Sequence, residues 1–301
     1  MENRRYGNIH IPVPGFPGGS EQLKGLSSAV FTAVLWSSSG LLIKLVDWHP
    51  IGISGARSLI TALLLIAVNR RFRPPRTLAG WGAAISNCLA MTTFVIANKL
   101  TTSANAIFLQ YLAPAFVAIL GIFLLKESLK LIDWVILSGV MCGMVLFFFD
   151  RIGPGGTAGN IIAVVSGLSL GVFTVCMRLD SFNKSTKPID NMIFGNLLTA
   201  VISIPFIATG PAPDPHTMLG ILFLGLFQNG FTAITYTYAV RRITALSISI
   251  ITLIEPLMNP VWVYLVIGER PSTFAVVGGA VILVFVTLRT ILVLRRARYR
   301  R

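Results

Sequence analysis

The stretch ANAIFLQYLAPAFVAILGIFLL, residues 104–125, contains no charged side chain. At about 1.5 Å of rise per residue, a helix of this length crosses a hydrocarbon core about 30 Å thick. Nine further apolar segments lie at 27–46, 51–68, 81–98, 131–149, 160–177, 189–209, 218–240, 245–267 and 274–294. The connections are short, which leaves no room for an extramembrane domain. An all-α membrane protein of ten transmembrane helices is therefore predicted. Composition agrees, since 54% of the 301 residues are hydrophobic, only 12% are charged, and mean hydropathy is +0.77. These values exclude a water-soluble enzyme, a disordered chain and a disulfide scaffold.

The net charge of +14 does not point to nucleic acid, because its placement follows the membrane. If the N-terminus is cytoplasmic, twenty Lys and Arg fall on the cytoplasmic side. Four fall outside (Lys44, Lys99, Arg151 and Arg270), and Arg57 lies within a span, which accounts for all 25. This bias predicts that both termini are cytoplasmic, in a plasma membrane or a bacterial inner membrane. Residues 1–23 show no apolar core followed by a cleavage site, so they read as a cytoplasmic tail rather than a cleavable signal. The basic tail 295–301 directly follows a span and is expected to meet anionic membrane lipid. Cys88, Cys142 and Cys176 all lie in apolar runs as small packing residues. His10, His49 and His216 lie in tails or loops, so neither a metal site nor any cofactor is expected.

The chain repeats itself. A shift of 142 residues superposes Asn87 on Asn229, Thr93 on Thr235, Phe94 on Tyr236, Ala97 on Ala239, Pro114 on Pro256 and Glu127 on Glu269. A shift of 138 superposes Pro50, Leu59 and Thr61 on Pro188, Leu197 and Thr199. The two halves, 24–150 and 151–294, then hold five spans each. Five is odd, so the second half is expected to enter the membrane in the opposite sense. Two similar halves of opposite orientation can exchange conformations, and a site between them then opens alternately to each side.

YLAPAFVAILGIFLLKES (111–128) and LIEPLMNPVWVYLVIGERPS (253–272) resemble the paired fourth-span signatures of the EamA-type branch of the drug/metabolite transporter superfamily. In each, a mid-span proline precedes a glutamate by thirteen residues, Pro114 to Glu127 and Pro256 to Glu269. The resemblance extends over 25–294. It implies ten helices in two inverted five-helix repeats, with spans 1–4 and 6–9 around a cavity and spans 5 and 10 outside. Within the superfamily the chain looks most like amino-acid exporters, including those for aromatic amino acids. An uncoupled facilitator or a drug or cation exporter of the same fold is the alternative reading. A membrane-embedded enzyme is disfavoured, because no His, Asp or Glu cluster gathers at one membrane face.

Two ionisable side chains lie well inside spans, Arg57 and Glu255, and a charge placed there costs at least about 2.5 kcal/mol. Glu255 suits a proton carrier or a partner for a substrate ammonium. Equally, it suits backbone groups disturbed by Pro256 and Pro260. Arg57 suits a bidentate grip on a carboxylate, or a structural tie to loop carbonyls. Cavity candidates are the amides Asn87, Asn98, Gln110, Gln228, Asn229 and Asn259 and the rings Trp36, Tyr111 and Tyr236. Amides offer both donors and acceptors, and rings stack on an apolar tail, the combination a zwitterion requires. The same residue types also serve helix packing and interfacial belts. Pro114, Pro256 and Pro260 are candidate hinges. Gly139 with Gly143, and Gly167 with Gly171, mark close helix contacts. No phosphate-binding loop is present, so direct ATP power is not expected, and no obligatory protein partner is evident.

Overall fold

The computed structural model describes residues 19–37, 46, 48–70, 72–101, 103–127, 129–150, 156–183, 187–209, 212–267 and 272–298. Among these residues the protein is entirely helical. We number the helices by span: α1 Gly19–Ser37, α2 Pro50–Asn69, α3 Leu78–Leu100, α4a Ser103–Gln110, α4b Ala113–Leu120, α5 Leu131–Phe148, α6 Thr157–Asp180 and α7 Pro188–Ala208. Helix α8 runs through Pro215–Phe223, Leu224–Phe231 and Thr232–Val240, and is followed by α9a Ala245–Ile251, α9b Ile254–Ile267 and α10 Thr273–Arg298.

Eight of these segments are long and apolar enough to cross a membrane. The other two are the first and the ninth. Most of the C-terminal half of the first predicted span, 27–46, lies outside the described residues. The ninth is interrupted between α9a and α9b. Helix α1 begins at Gly19, earlier than the apolar segment, so part of the predicted N-terminal tail is helical. Glu21 there pairs with Lys24 at 2.7 Å and with Arg242 at 2.8 Å, which ties this polar turn to the end of α8.

Two helices are broken where the prolines predict it. A proline ring clashes with the carbonyl four residues back and supplies no N–H, but is tolerated in the first helical turn. Accordingly α4a stops at Gln110, Tyr111–Leu112 form a turn, and Pro114 sits in the first turn of α4b. Likewise Thr252–Leu253 separate α9a from α9b, and Pro256 is the third residue of α9b. Widened π-helical turns occupy Gly121–Leu125 after α4b and Leu224–Phe231 within α8.

The most extensive pairings are α3 with α6, α2 with α7, α4 with α6, and α5 with α10. Helix α3 also meets α7, α1 meets α8, α2 meets the π segment of α8, and α9b meets α1. Exchanging every helix for the one five later leaves this set of neighbours unchanged. The α5–α10 contact is close because both helices offer glycine. A Cβ on Gly143 would lie 2.7 Å from Ile282 Cγ1, and one on Gly278 would strike the Phe147 backbone. Gly167 likewise meets α4a, where a Cβ would lie 2.8 Å from the Gln110 carbonyl.

Candidate functional site

The broken helices position the central charges. Glu255 lies at the start of α9b, where the chain restarts after Thr252–Leu253, and its backbone N–H donates to the Thr252 carbonyl at 3.0 Å. Tyr111 lies in the matching interruption of α4, and its hydroxyl faces the Glu255 carboxylate. Arg57, from α2, is the cation that faces Glu255. Its Nη2 lies 3.8 Å from the Met91 Sδ, and its Nε is buried with no hydrogen-bond partner among the described residues. Three of the sequence candidates, far apart in the chain, are thus brought together between α2, α4 and α9.

A second group forms on α1, α6 and α8. The Trp36 and Tyr236 rings have centroids 5.7 Å apart, and Phe173 stacks on Tyr236 with centroids 5.4 Å apart. The Tyr236 hydroxyl donates to Thr174 Oγ1 at 3.1 Å, so its polar tip is satisfied within the protein. Phe173 carries no polar group and was invisible as a site residue in the sequence. Trp262, on α9b, donates from Nε1 to Ser37 Oγ at 2.8 Å and joins the end of α1 to that helix.

The amides divide by partner. Gln110 donates to Ser166 Oγ at 2.9 Å, and Ser166 passes a hydrogen bond to the Ala90 carbonyl at 2.9 Å, which links α4a, α6 and α3. Asn229 donates to Asn196 Oδ1 at 3.4 Å. Asn87 is buried against Gly195, where a Cβ would come within 2.9 Å of its Nδ2. Both members of the repeat-related pair Asn87 and Asn229 therefore meet adjacent positions of α7. Gln228 is buried in the π segment, and its Oε1 accepts no hydrogen bond among the described residues. The side chains of Asn98, Asn259 and Pro260 lie outside the described residues.

Near one membrane face the structure buries charges that the sequence reading had placed with the loop cations. Arg178 and Arg289 are only 2% and 3% exposed. Arg289 Nη1 pairs with Asp133 in the first turn of α5, and its other nitrogens reach Ser247 Oγ at 3.2 Å and Thr244 Oγ1 at 3.3 Å. Arg178 Nη1 donates to the Val240 carbonyl at 2.7 Å, its guanidinium lies over the Phe182 ring, and its Nε is 3.6 Å from Glu127 Oε1. That last contact is an ion pair longer than a hydrogen bond. Burial pushes the Glu127 carboxyl above its ordinary range, outweighing Arg178, Arg289 and the Ala245 N–H, which all pull it down. The network joins the ends of α4, α6, α8 and α10 to the beginnings of α5 and α9. Its only trace in the sequence was Glu127, fixed at thirteen residues after Pro114.

The EamA-like transporter family matches this chain twice, over residues 23–149 and again over 157–291. The chain belongs to the EamA-like transporter family. This EamA-like protein is 24% identical over 280 residues to a protein of Archaeoglobus fulgidus named an uncharacterized transporter, covering 86% of this chain and 94% of that one. A second uncharacterized transporter of the same organism is 25% identical over 262 residues, with coverages of 86% and 93%. An uncharacterized transporter of Bacillus subtilis, YoaV, is 24% identical over 202 residues, covering 62% of this chain and 66% of its own. The crystal structure of another protein superposes with a TM-score of 0.77 at 19% identity, covering 92% of this chain and 99% of that one, which shows a shared fold. The protein is thus a multi-pass membrane protein of a transporter family.

Proposed function

We propose that this protein is a secondary transporter that exports amino acids or similar small metabolites from the cytoplasm by alternating access between two inverted five-helix repeats. The observation that carries the reading is the meeting of Glu255, Tyr111 and Arg57 beside two interrupted helices. Interrupted helices in corresponding positions of two halves are where transporters of duplicated architecture hold their ligands. The neighbour set that survives exchange of each helix for the one five later supports the repeat.

One carboxylate and one guanidinium suit a ligand bearing an ammonium and a carboxylate. A bare cation would be drawn to Glu255 but opposed by Arg57, which weighs against a drug or cation exporter. Trp36, only partly buried, supplies an aromatic face for an apolar tail, backed by the buried rings of Tyr236 and Phe173. Asn87, Asn229 and Gln228 are the amides assigned to the polar part of the ligand, and the termini are assigned to the cytoplasm from the Lys/Arg bias.

The test is uptake of labelled amino acids by liposomes containing the purified protein, with and without an imposed pH gradient. Gradient-driven accumulation of aromatic or branched amino acids is expected. Equilibration without accumulation makes the protein a facilitator, and indifference to the whole amino-acid panel at verified incorporation refutes the substrate class. A C-terminal reporter active only outside the cytoplasm overturns the orientation.

A further inference from the structure

We propose that the surface formed by the end of α2, the segment 72–77 and the first turns of α3 and α7 is a binding site for one anionic phospholipid. Its phosphate lies among Arg73, Arg76 and Lys187, and its upper acyl chains lie against Phe72, Trp81 and Phe194.

The segment is held in place. Pro74 and Pro75 fix two successive φ angles, and Pro75 is buried. Thr77 accepts from the Gly80 N–H at 2.8 Å, which caps α3, and its hydroxyl donates to Asp180 at 2.5 Å. The other Asp180 oxygen accepts from Asn191 Nδ2 at 2.7 Å, which joins the segment to α7. Arg73 and Arg76 thus project from a braced turn.

The charge there is unbalanced. Arg70, Arg73, Arg76 and Lys187 are exposed, and none forms an ion pair within 4.0 Å among the described residues. Lys187 Nζ donates to Asn69 Oδ1 at 3.2 Å, and Asn69 Nδ2 donates to Asp190 at 2.8 Å. Two carboxylates face this group, the buried Asp180 and Asp190, and Lys187 and Arg73 both act on Asp190. Four cations against two carboxylates leave an excess of positive charge for an anion.

Directly beneath lies an apolar layer. Phe72 stacks on Phe194 with centroids 6.1 Å apart and planes inclined by 11°, and Trp81 meets Phe194 edge-on at 4.8 Å. Phe72 is 42% and Trp81 38% exposed. Phe194 follows Lys187 by seven residues on α7, so its ring lies roughly 10 Å deeper along the helix. A cationic layer above an aromatic layer, spaced by about the thickness of a headgroup region, matches a phospholipid with its phosphate outward and its chains inward. A soluble phosphate ester would use only the upper layer.

Trp81 is a probe built into the site. The full-length protein is reconstituted in nanodiscs of phosphatidylcholine and phosphatidylglycerol, with one lipid at a time brominated on its acyl chains. The Trp81 fluorescence is taken as the difference between wild type and Trp81→Phe. At equal mole fraction, brominated phosphatidylglycerol is expected to quench that signal more strongly than brominated phosphatidylcholine. Arg73→Gln with Arg76→Gln is expected to lower the preference by about fivefold per arginine replaced, and the paired Lys variant to keep it. Equal quenching by the two lipids in the wild type overturns the site without recourse to any variant. A preference that survives in the paired Gln variant, at unchanged elution and circular dichroism, also overturns it. Equal quenching by the two lipids, together with binding of soluble glycerol phosphate that the paired Gln variant loses, reassigns the site to a free phosphate ester and overturns the lipid.

Discussion

The Tyr111 hydroxyl faces the Glu255 carboxylate from one broken helix to the other. The two residues stand two positions apart in the repeat, because Pro114 corresponds to Pro256 and Ala113 to Glu255. The contact therefore joins the two places where the proline-bearing helices lose their continuity.

Glu255→Gln keeps an acceptor for Tyr111 and removes the titrating group. Exchange of labelled for unlabelled substrate across a liposome membrane is expected to persist, while accumulation driven by a pH gradient is lost. If the Gln variant accumulates substrate as wild type does, coupling lies elsewhere.

Asn87→Leu and Asn229→Leu each remove an amide that the proposed site assigns to the ligand. An unpaired polar partner costs about 1–3 kcal/mol, so apparent substrate affinity is expected to fall about 5- to 150-fold in each. Asn229→Leu also deprives Asn196 of a donor and should lower thermal stability. Unchanged affinity in both assigns the pair to the packing of α7.

Asp133→Asn leaves the buried Arg289 facing a neutral amide. Breaking a buried pair from one side costs about 3–5 kcal/mol, which thermal unfolding in detergent would register. The double variant Asp133→Leu with Arg289→Leu removes both charges and is expected to be closer to wild type than Asp133→Asn. A double variant less stable than the single one refutes the pairing argument.

Glu127 should give stability a pH dependence of defined sign. Its carboxyl binds a proton more tightly in the folded chain than at the ordinary value near 4.5. The unfolded chain then ionises first as pH rises. Stability attributable to this group is therefore full below 4.5, falls as pH rises through the folded value, and is flat beyond it. Unfolding temperatures measured across this range should show the fall in wild type and a smaller one in Glu127→Gln. Identical slopes would contradict it.

The helices and the interruptions at Pro114 and Pro256 were legible in the sequence, because a span's length and a proline's missing N–H act locally. The start of α1 was not. Hydropathy marks the bilayer, and the turn from Gly19 is helical through polar residues that Arg242 holds from across the chain. Arg289 was counted among the cytoplasmic charges of the C-terminal end for the same reason, since its partner Asp133 lies 156 positions away. Residue type alone showed that Gln110 and Asn229 would hydrogen-bond. That Ser166 and Asn196 would receive those bonds depended on how α3, α4, α6, α7 and α8 pack.

Arg57 belongs to the first half of the chain and Glu255 to the second. The registers that align the halves set Gly195 against Arg57 and Ala113 against Glu255, so each half contributes one sign of charge and lacks the other. In the proposed cycle, sliding one half past the other performs electrical work, because it draws apart opposite charges in surroundings of lower dielectric than water. The empty protein of that cycle is latched by its own attraction, and a dipolar passenger lying between the two residues neutralises each half separately and releases the latch, so that occupancy sets how freely the halves move.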